Sequence, residues 1–245
     1  HSHLLASVIP NCVAYDPCYA YELAVIMQDG LRRMYAEQER VFYYVTCMNE
    51  NYVQPSMPKG VEPGILRGMY LLHIGGRGTV RVTLFVSGTI LREVIAAGEL
   101  LAKDWDVSAE IWSCTSFTEL RREGLACERW NLLHPTEAPR ESWVEKNLKG
   151  SSGPVVASSD YIKTFAEQIR PFIPRGRAYR VLGTDGFGRS DTRERLRDFF
   201  EVDRRWVALA ALKALADQGD IKATVVAAAI KKYGIDPNKP NPVTV

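Results

Sequence analysis

The chain has 245 residues, of which 46% are hydrophobic and 24% charged, and its formal net charge is +2. This composition is typical of a globular protein, and the length allows one large domain or one domain with part of another. Basic pairs such as Arg121-Arg122 are dispersed among acidic residues, which disfavours a nucleic-acid groove. No apolar run approaches the ~18 residues that a membrane span needs. We therefore expect neither a nucleic-acid partner nor a membrane partner.

The cysteine and histidine pattern does not indicate a metal site. The cysteines are widely spaced and form no C-x-x-C pair, and His73 and His134 lack a partner at metal-ligand spacing. This pattern favours reduced thiols in a cytoplasmic protein. The cysteines are Cys12, Cys18, Cys47, Cys114 and Cys127.

The first third of the chain predicts one strand-helix-strand unit. Residues 7–9 form a short β-like run that ends at Pro10, and Asp16-Pro17 has the pattern of a helix start with Asp16 as cap. Apolar residues recur three or four apart over residues 19–34, which predicts an amphipathic helix. The run VFYYVTC at 41–47 predicts a buried strand.

One such unit cannot cover both faces of its own sheet, so further strands are expected upstream. The chain opens with His1-Ser2-His3, without an initiator Met, and continues directly into an apolar stretch. We therefore expect it to be a fragment of a longer polypeptide.

The stretch from Asn49 to Leu72 is rich in proline and glycine and has little periodicity, which indicates a linker between domains. A loop of this length is expected to be held against a surface.

A second α/β pattern begins near Val80. Predicted strands alternate with helices of ten or more residues, which indicates right-handed crossovers and a mainly parallel, doubly wound sheet. The predicted strands are 80–86, 107–114, 154–157 and 179–182. The predicted helices are 90–103, 117–127 and one capped by Ser159-Asp160 that reaches about Phe172.

The C-terminal part predicts three helices followed by an irregular tail. Asp191 and Glu194 have the spacing of a capping box for the first, which ends near Phe200. Asp203 caps the second, which Gly219 ends, and residues 221–233 form the third.

The glycines of Gly183–Gly188 have two interpretations. A phosphate would fit the free N–H groups at the start of the following helix, which would make this a nucleotide-binding loop. The spacing G-x-x-G-x-G, however, matches neither the dinucleotide fingerprint nor the P-loop. A scaffold turn is favoured, because Ser190 or Asp191 would occupy those N–H groups.

Other candidate residues do not form a complete catalytic set. His134 has the context of a loop histidine, and His73 precedes a glycine-rich turn and is expected at the surface. Ser87 lacks the G-x-S-x-G elbow of a hydrolase nucleophile. A carboxylate cluster of Asp185, Asp191 and Glu194 is conceivable, although helix capping accounts better for two of them.

Several long motifs resemble a known family. They are IPNCVAYDPCYAYELAVIMQDGLRRMY, FYYVTCMNENYVQPSMPKG, SCTSFTEL, CERWNLLHP and VLGTDGFGRSDTRERLRDFFEVD. Together they are similar to the homodimeric decarboxylating component of bacterial pyruvate dehydrogenase complexes, a thiamine-diphosphate enzyme related to the transketolases. The resemblance covers nearly the whole chain.

The resemblance implies the domain organisation. Residues 1–53 correspond to the end of a pyrimidine-binding α/β domain, residues 54–77 to an interdomain linker, and residues 78–245 to the transketolase-like C-terminal domain. Thiamine diphosphate and Mg2+ would be bound by upstream domains. Their binding segments do not occur in this sequence.

The resemblance also implies the reaction. The full-length enzyme would decarboxylate pyruvate and transfer the acetyl unit to a lipoyl group of the dihydrolipoyl acetyltransferase component. This region would contribute mainly structure and dimer surface, and alone it would be inactive. The alternatives are a free-standing noncatalytic α/β assembly module and the nucleotide-binding domain already described.

Two histidines are the site candidates that the resemblance supplies. His1-Ser2-His3 resembles the end of a motif whose transketolase form is E-D-G-P-T-H, so His3 would face the substrate and orient it or shuttle a proton. His1 is a second candidate. Transketolases carry a phosphate-binding Arg where this chain has Met48-Asn49-Glu50, which favours an unphosphorylated substrate over a sugar phosphate.

Overall fold

A computed structural model describes residues 1–245 of the chain. The first unit contains helix α1 (Ser2–Ser7), strand β1 (Cys12–Tyr15), helix α2 (Ala20–Leu31), which continues as a π-helical turn over Arg32–Ala36, and strand β2 (Phe42–Val45). β1 and β2 pair in parallel as a two-stranded sheet. The predicted strand at residues 7–9 is wrong, because Ser7 ends α1, residues 8–11 form a turn and the strand begins at Cys12.

The middle of the chain is more regular than the predicted linker. Helix α3 (Glu62–Arg67) and strand β3 (Tyr70–Gly75) lie inside the segment assigned to it. β3 pairs antiparallel with β5 (Val107–Ser113) and forms one edge of the larger sheet. The prediction of an irregular connection is therefore wrong from Glu62 onward, whereas the boundaries at 53 and 78 stay predictions.

The larger sheet is a five-stranded α/β sheet with the order β3-β5-β4-β6-β7. Its remaining strands are β4 (Val80–Val86), β6 (Val155–Ser158) and β7 (Tyr179–Leu182), and β4 to β7 run parallel to one another. The predicted mainly parallel, doubly wound sheet is confirmed. The antiparallel strand β3 is not predicted from the sequence, because the Pro- and Gly-rich composition before it indicates a linker.

Helices cover both faces of this sheet. Helices α4 (Leu91–Trp105), α9 (Arg204–Gln218) and α10 (Ala223–Lys232) pack on one face in a core that includes Val82, Leu84 and Ile111. Helices α5 (Phe117–Leu133), α6 (Trp143–Leu148) and α7 (Thr164–Glu167) pack on the other face. Alternate residues of β4 therefore enter different cores, as the pleat of a strand requires.

Several predicted helices differ at their ends. Asp160 caps no helix, since α7 begins at Thr164 and is followed by a separate 3-10 turn over Arg170–Phe172. Helix α8 (Arg193–Phe199) is capped by Thr192, whose side chain accepts from the Arg195 N–H, and not by Asp191. The cap at Asp203 and the stop at Gly219 are confirmed.

Strand β7 forms the second edge of the sheet. Arg170 covers part of this edge, because its guanidinium donates to the Tyr179 carbonyl at 3.0 Å. A groove of about 390 Å³ beside the strand has an apolar floor that includes Val181, Trp206 and Leu209, with Lys213 at its rim.

The cap at Asp203 gives a test of the C-terminal helices. Its carboxylate accepts from the N–H groups of Arg205 at 2.8 Å and Trp206 at 3.1 Å. We expect Asp203→Ala to lower the free energy of unfolding by about 1–2 kcal/mol, because both donors lose their acceptor. Urea unfolding measures this change. The exposed Asp191→Ala is the matched control, and a loss as large as that of Asp203→Ala would contradict the capping assignment.

Candidate functional site

The carboxyl ends of strands from both sheets meet at one buried place. Asp16 follows β1, Thr46 follows β2, and Ser87 follows β4, while Ser158 ends β6. Backbone hydrogen bonds join the two units here, because the Asp16 N–H donates to the Thr115 carbonyl at 2.8 Å and the Gly88 N–H donates to the Asp16 carbonyl at 3.1 Å. Carboxyl ends of parallel strands are the usual position of ligand sites in α/β proteins.

A chain of short hydrogen bonds connects three side chains at this place. The Thr46 hydroxyl donates to Oδ1 of Asp16 at 2.7 Å, and Nε2 of His3 lies 2.8 Å from the same hydroxyl oxygen. The Tyr161 hydroxyl is 3.5 Å from Oδ1 of Asp16. The arrangement links helix α1 and both strands of the first unit to the loop that follows β6.

His3 lies inside the molecule, enclosed by aromatic rings. Its side chain is 1% exposed, and the rings of Tyr161 and Phe165 lie 4.8 Å from its own. Burial lowers the pKa of His3 to about 4, with a smaller contribution from the positive amino terminus of the chain. The neutral ring keeps one nitrogen, Nδ1, that has no hydrogen-bond partner.

The other predicted histidine is not part of this cluster. His1 is exposed at the beginning of α1 and makes no side-chain capping bond. The structure therefore brings His3, and not His1, to the junction of the two units. The substrate-facing role of either residue stays a prediction.

Asp16 is the buried carboxylate of the cluster. Burial raises its pKa to about 6, although the hydroxyl groups of Thr46 and Ser87, which both lie beside the carboxylate, oppose the rise. Its second oxygen, Oδ2, has no partner and faces Gly88, where an added Cβ would lie 2.6 Å from that oxygen. Gly88 also has a φ of +57°, so both the backbone and the carboxylate require glycine at this position.

A second buried carboxylate lies nearby but is fully hydrogen-bonded. Glu22 of α2 accepts from the N–H groups of Cys18 and Tyr19, from the Tyr70 hydroxyl at 2.7 Å and from the Ser113 hydroxyl at 2.6 Å. These donors come from both units. Glu22 has no free lone-pair direction to offer a ligand, so we regard it as a structural contact between α2 and the larger sheet.

The segment after β2 enters a charged cleft of about 760 Å³. Glu50 accepts from Arg92 and Arg197, each at 2.6 Å, and Asn49 accepts from Arg193 at 2.6 Å. Acidic and basic side chains alternate around this cleft and neutralise one another. Its lining residues are Glu50, Glu93, Arg193, Glu194, Arg197, Asp203, Arg204 and Arg205.

The glycine-rich loop is a packed turn. A Cβ at Gly183 would lie 2.5 Å from the Tyr161 carbonyl oxygen, and Asp185 accepts from the Lys163 N–H at 2.8 Å. Helix α8 after the loop already has its own cap at Thr192. Close packing thus accounts for Gly183 and a φ of +92° for Gly186, whereas a Cβ at Gly188 would meet nothing within 4 Å. The packed Gly183 and the helix cap at Thr192 favour the scaffold interpretation over a nucleotide site.

The remaining candidates occupy separate places. His73 is exposed on β3, and His134 ends α5 with its Nδ1 at 2.8 Å from the Trp130 carbonyl. Ser87 is buried beside Asp16 without a hydrogen-bond partner for its hydroxyl. Asp185 contacts Lys163 and Asp191 accepts from Thr192, so each has its own partner outside a carboxylate cluster.

Sequence reasoning missed Asp16 and Thr46. Asp16 was expected to cap α2, but the helix begins later, and Glu22 accepts from the Tyr19 N–H at its start. A usable signal exists in the pattern, since a polar residue directly follows each of the two paired strands. Parallel strands bring such residues to one edge. Of these strands only β1 is buried, and the expectation of a buried strand at 41–47 is wrong, because β2 is only partly covered.

The structure holds no group of three or more His, Cys, Asp or Glu side chains that would bind a metal ion. No helix has both the length and the apolar character that crossing a bilayer demands. The cysteines are free thiols, of which Cys12, Cys18 and Cys114 are buried and Cys47 is exposed.

Comparison with known families gives two matches along the chain. Residues 1–55 match the model of the pyruvate dehydrogenase E1 component middle domain, and residues 68–203, more than half of the chain, match the transketolase-like C-terminal domain. The chain therefore belongs to the transketolase-like family of C-terminal domains. More narrowly, its curated homologues are pyruvate dehydrogenase E1 components.

The E1 relatives match this chain from end to end. That of Cupriavidus necator is 66% identical over 247 residues, covering 100% of this chain and 27% of its own length. Those of Pseudomonas aeruginosa and Escherichia coli are 62% and 55% identical over 99% of this chain, which spans 28% and 27% of their respective lengths. The chain thus spans little more than a quarter of the relatives it matches.

Solved structures support the fold. A transketolase from Campylobacter jejuni superposes with a TM-score of 0.60 at 15% identity, over 86% of this chain and 27% of the transketolase. A split-gene transketolase described as an inactive beta4 tetramer gives a TM-score of 0.54 at 15% identity, over 86% of this chain and 60% of that protein. At this identity the likeness concerns the fold alone.

The raised pKa of Asp16 gives a test by pH. A carboxyl whose folded pKa is raised stabilises the fold below its unfolded pKa, and this stabilisation is lost as pH rises through about 6. Asp16→Asn has no ionisable carboxyl at this position, so its stability does not fall with pH for this reason. Between about pH 4 and about pH 7.5, we expect its free energy of unfolding to rise relative to wild type by about 2 kcal/mol.

Urea unfolding of both proteins at the two pH values measures the effect. Asp217→Asn is the control, because hydrogen bonds from Lys213 and Arg180 lower the pKa of that exposed carboxyl and its pH effect has the opposite sign. Equal pH dependence of wild type and Asp16→Asn would contradict the assignment.

Proposed function

We propose that this chain is part of a pyruvate dehydrogenase E1 component. In the complete enzyme, pyruvate is decarboxylated and its acetyl unit passes to a lipoyl group of the dihydrolipoyl acetyltransferase component. The observation that carries this proposal is the high identity to E1 components along the entire chain. The relatives are bacterial, and we place the enzyme in the bacterial cytoplasm.

Thiamine diphosphate and Mg2+ are the cofactors of the proposed enzyme. The residues of this chain do not fit either group, since they offer no cluster of metal ligands and the helix after the glycine-rich loop already has its own cap at Thr192. In the proposal both cofactors are bound by parts of the enzyme outside this chain, and pyruvate is the small-molecule substrate.

The main contribution of this region is structure and dimer surface. Several large apolar side chains of the first unit are exposed, among them Leu5 and Val8 at 72% and 75% and Tyr35 at 74%. Such a group of exposed apolar side chains is typical of a surface that another part of the assembly covers. We propose that the upstream domain and the second subunit of a homodimer cover it.

His3 is the residue of this chain that we propose to face the substrate, and His1 is a second candidate. The support for His3 is its place at the carboxyl ends of both sheets, with a nitrogen that has no partner. An imidazole in such a position orients a substrate by hydrogen bonding or exchanges a proton with it.

The charged cleft agrees with an unphosphorylated substrate. The residues that follow β2 supply an acid, Glu50, which already binds Arg92 and Arg197. A carboxylate at this position repels a phosphate, and the neighbouring guanidinium groups are occupied.

A chimaera tests the proposed function. The corresponding quarter of the Cupriavidus necator E1 component is replaced by this chain, and pyruvate-dependent acetyl transfer to a lipoyl domain is measured. We expect the chimaera to be active and the isolated chain to be inactive and unable to bind thiamine diphosphate. An active isolated chain, or an inactive but folded chimaera, would contradict the proposal.

The role of His3 is tested in the same chimaera. We expect His3→Ala to lower kcat about 100-fold, which is the lower range for the loss of an acid–base group, with nearly unchanged affinity for thiamine diphosphate. His73→Ala is the matched control, because His73 is exposed and distant in the sheet. Wild-type turnover of His3→Ala would refute the role.

A further inference from the structure

The hydrogen bonds between His3, Thr46 and Asp16 have a defined direction. A carboxylate only accepts hydrogen bonds, and the Thr46 hydroxyl carries a single proton. That proton points to Oδ1 of Asp16 at 2.7 Å, since the competing Tyr15 carbonyl lies farther away at 3.4 Å. The Thr46 oxygen then accepts from His3, so the proton of the neutral ring is on Nε2 and Nδ1 is bare.

We propose that His3, Thr46 and Asp16 form a proton relay, in which a proton accepted at Nδ1 of His3 is held as a proton on the Asp16 carboxyl. This inference rests on the proposed function, in which His3 faces the substrate. Thr46 and Asp16 act through His3, so they are positioning residues of the site.

The relay conserves every proton. A proton binds at Nδ1, the Nε2 proton moves to the Thr46 oxygen, and the original Thr46 proton moves to Oδ1 of Asp16. The ring ends neutral, as it began, but with its proton on Nδ1 instead of Nε2. His3 thereby changes at its free nitrogen from an acceptor to a donor, which is the form that hydrogen-bonds to a carbonyl oxygen.

The surroundings favour the carboxyl as the holder of the proton. Burial gives Asp16 a pKa of about 6 and lowers the pKa of His3 to about 4, so one added proton resides on Asp16 and an imidazolium is avoided. The negative groups near Asp16 are Asp160 and Glu22, which raise its pKa further. The other titratable groups that face the three side chains of the relay are Tyr161 and Tyr44.

The backbone holds both ends of the relay in place. Asp16 is fixed by its own N–H and C=O, which bond to Thr115 and Gly88 of the larger unit. His3 is fixed by the surrounding rings of Tyr44, Tyr161 and Phe165. Both ends of the relay are therefore held by contacts in addition to the relay hydrogen bonds, and both His3 and Asp16 are buried.

Nitrogen-15 NMR of the histidine rings tests the relay directly. The chain contains four histidines, and His3→Gln assigns the signal of His3. We expect the Nε2–H tautomer of a neutral ring at about pH 7.5 and the Nδ1–H tautomer at about pH 5, because Asp16 protonates between them. A ring with the same tautomer at both pH values, or a positively charged ring at the lower one, would overturn the proposal.

Two substitutions at Thr46 separate the relay from simple packing. Thr46→Val has a similar shape without the hydroxyl, and it should abolish the tautomer change, whereas Thr46→Ser keeps the hydroxyl and should preserve it. Circular dichroism establishes that each variant is folded. A tautomer change that persists in folded Thr46→Val would overturn the relay.

The kinetic consequence is measured in the chimaeric enzyme. We expect Thr46→Val to lower kcat/KM for pyruvate about tenfold and to remove an ionisation near pH 6 from the pH profile, with Thr46→Ser within about twofold of wild type. A Thr46→Val profile identical to wild type would refute the catalytic use of the relay. If His3→Ala is fully active, the proposed function of His3 fails, while the tautomer measurement still decides the relay.

Discussion

Main-chain hydrogen bonds between the end of β1 and the turns that follow β4 and β5 hold the two sheets of the molecule against each other. Asp16 uses its N–H and its carbonyl to bond the larger unit, and the Ser116 hydroxyl donates to the Ala14 carbonyl at 2.6 Å. Backbone N–H and C=O groups at the end of a short strand have no partner in a neighbouring strand, and these hydrogen bonds supply one. Because the bonds involve main-chain atoms, they fix the two sheets with their carboxyl ends facing each other.

Burial of that connection explains the polar groups around it. Asp16 and Glu22 are both enclosed, yet their environments differ. Glu22 receives donors on both oxygens, whereas Oδ2 of Asp16 has no partner with hydrogen-bond geometry and only the Ser87 hydroxyl beside the carboxylate. An unpaired buried oxygen costs stability, and native proteins retain such groups mainly where they serve a function. We therefore regard Glu22 as a structural residue. Asp16, Thr46 and His3 belong to the candidate site.

Sequence patterns predicted the parts of the fold that depend on local chemistry. Strand β7 and the cap at Asp203 followed from β-branched runs and capping spacing, and both are found in the structure. The strand at residues 70–75 was missed, because the Pro- and Gly-rich stretch before it suggested a linker and its pairing with β5 is a long-range contact. Asp16 was misassigned for the same reason, since the groups that bury it come from residues far along the chain. His3 was named through family resemblance, whereas its contact with Thr46 required the coordinates.

The exposed edge of the larger sheet has a consequence for how copies of this protein behave in solution. Strand β7 spans only Tyr179–Leu182, and the Arg170 guanidinium already occupies one of its outward carbonyls. The charged side chains of Arg180 and Lys213 line the groove beside this strand, and both are paired with Asp217. Short length and charged side chains are among the means by which natural sheets avoid adding a foreign strand. The fold thus leaves one edge open without making it a template for intermolecular β-aggregation.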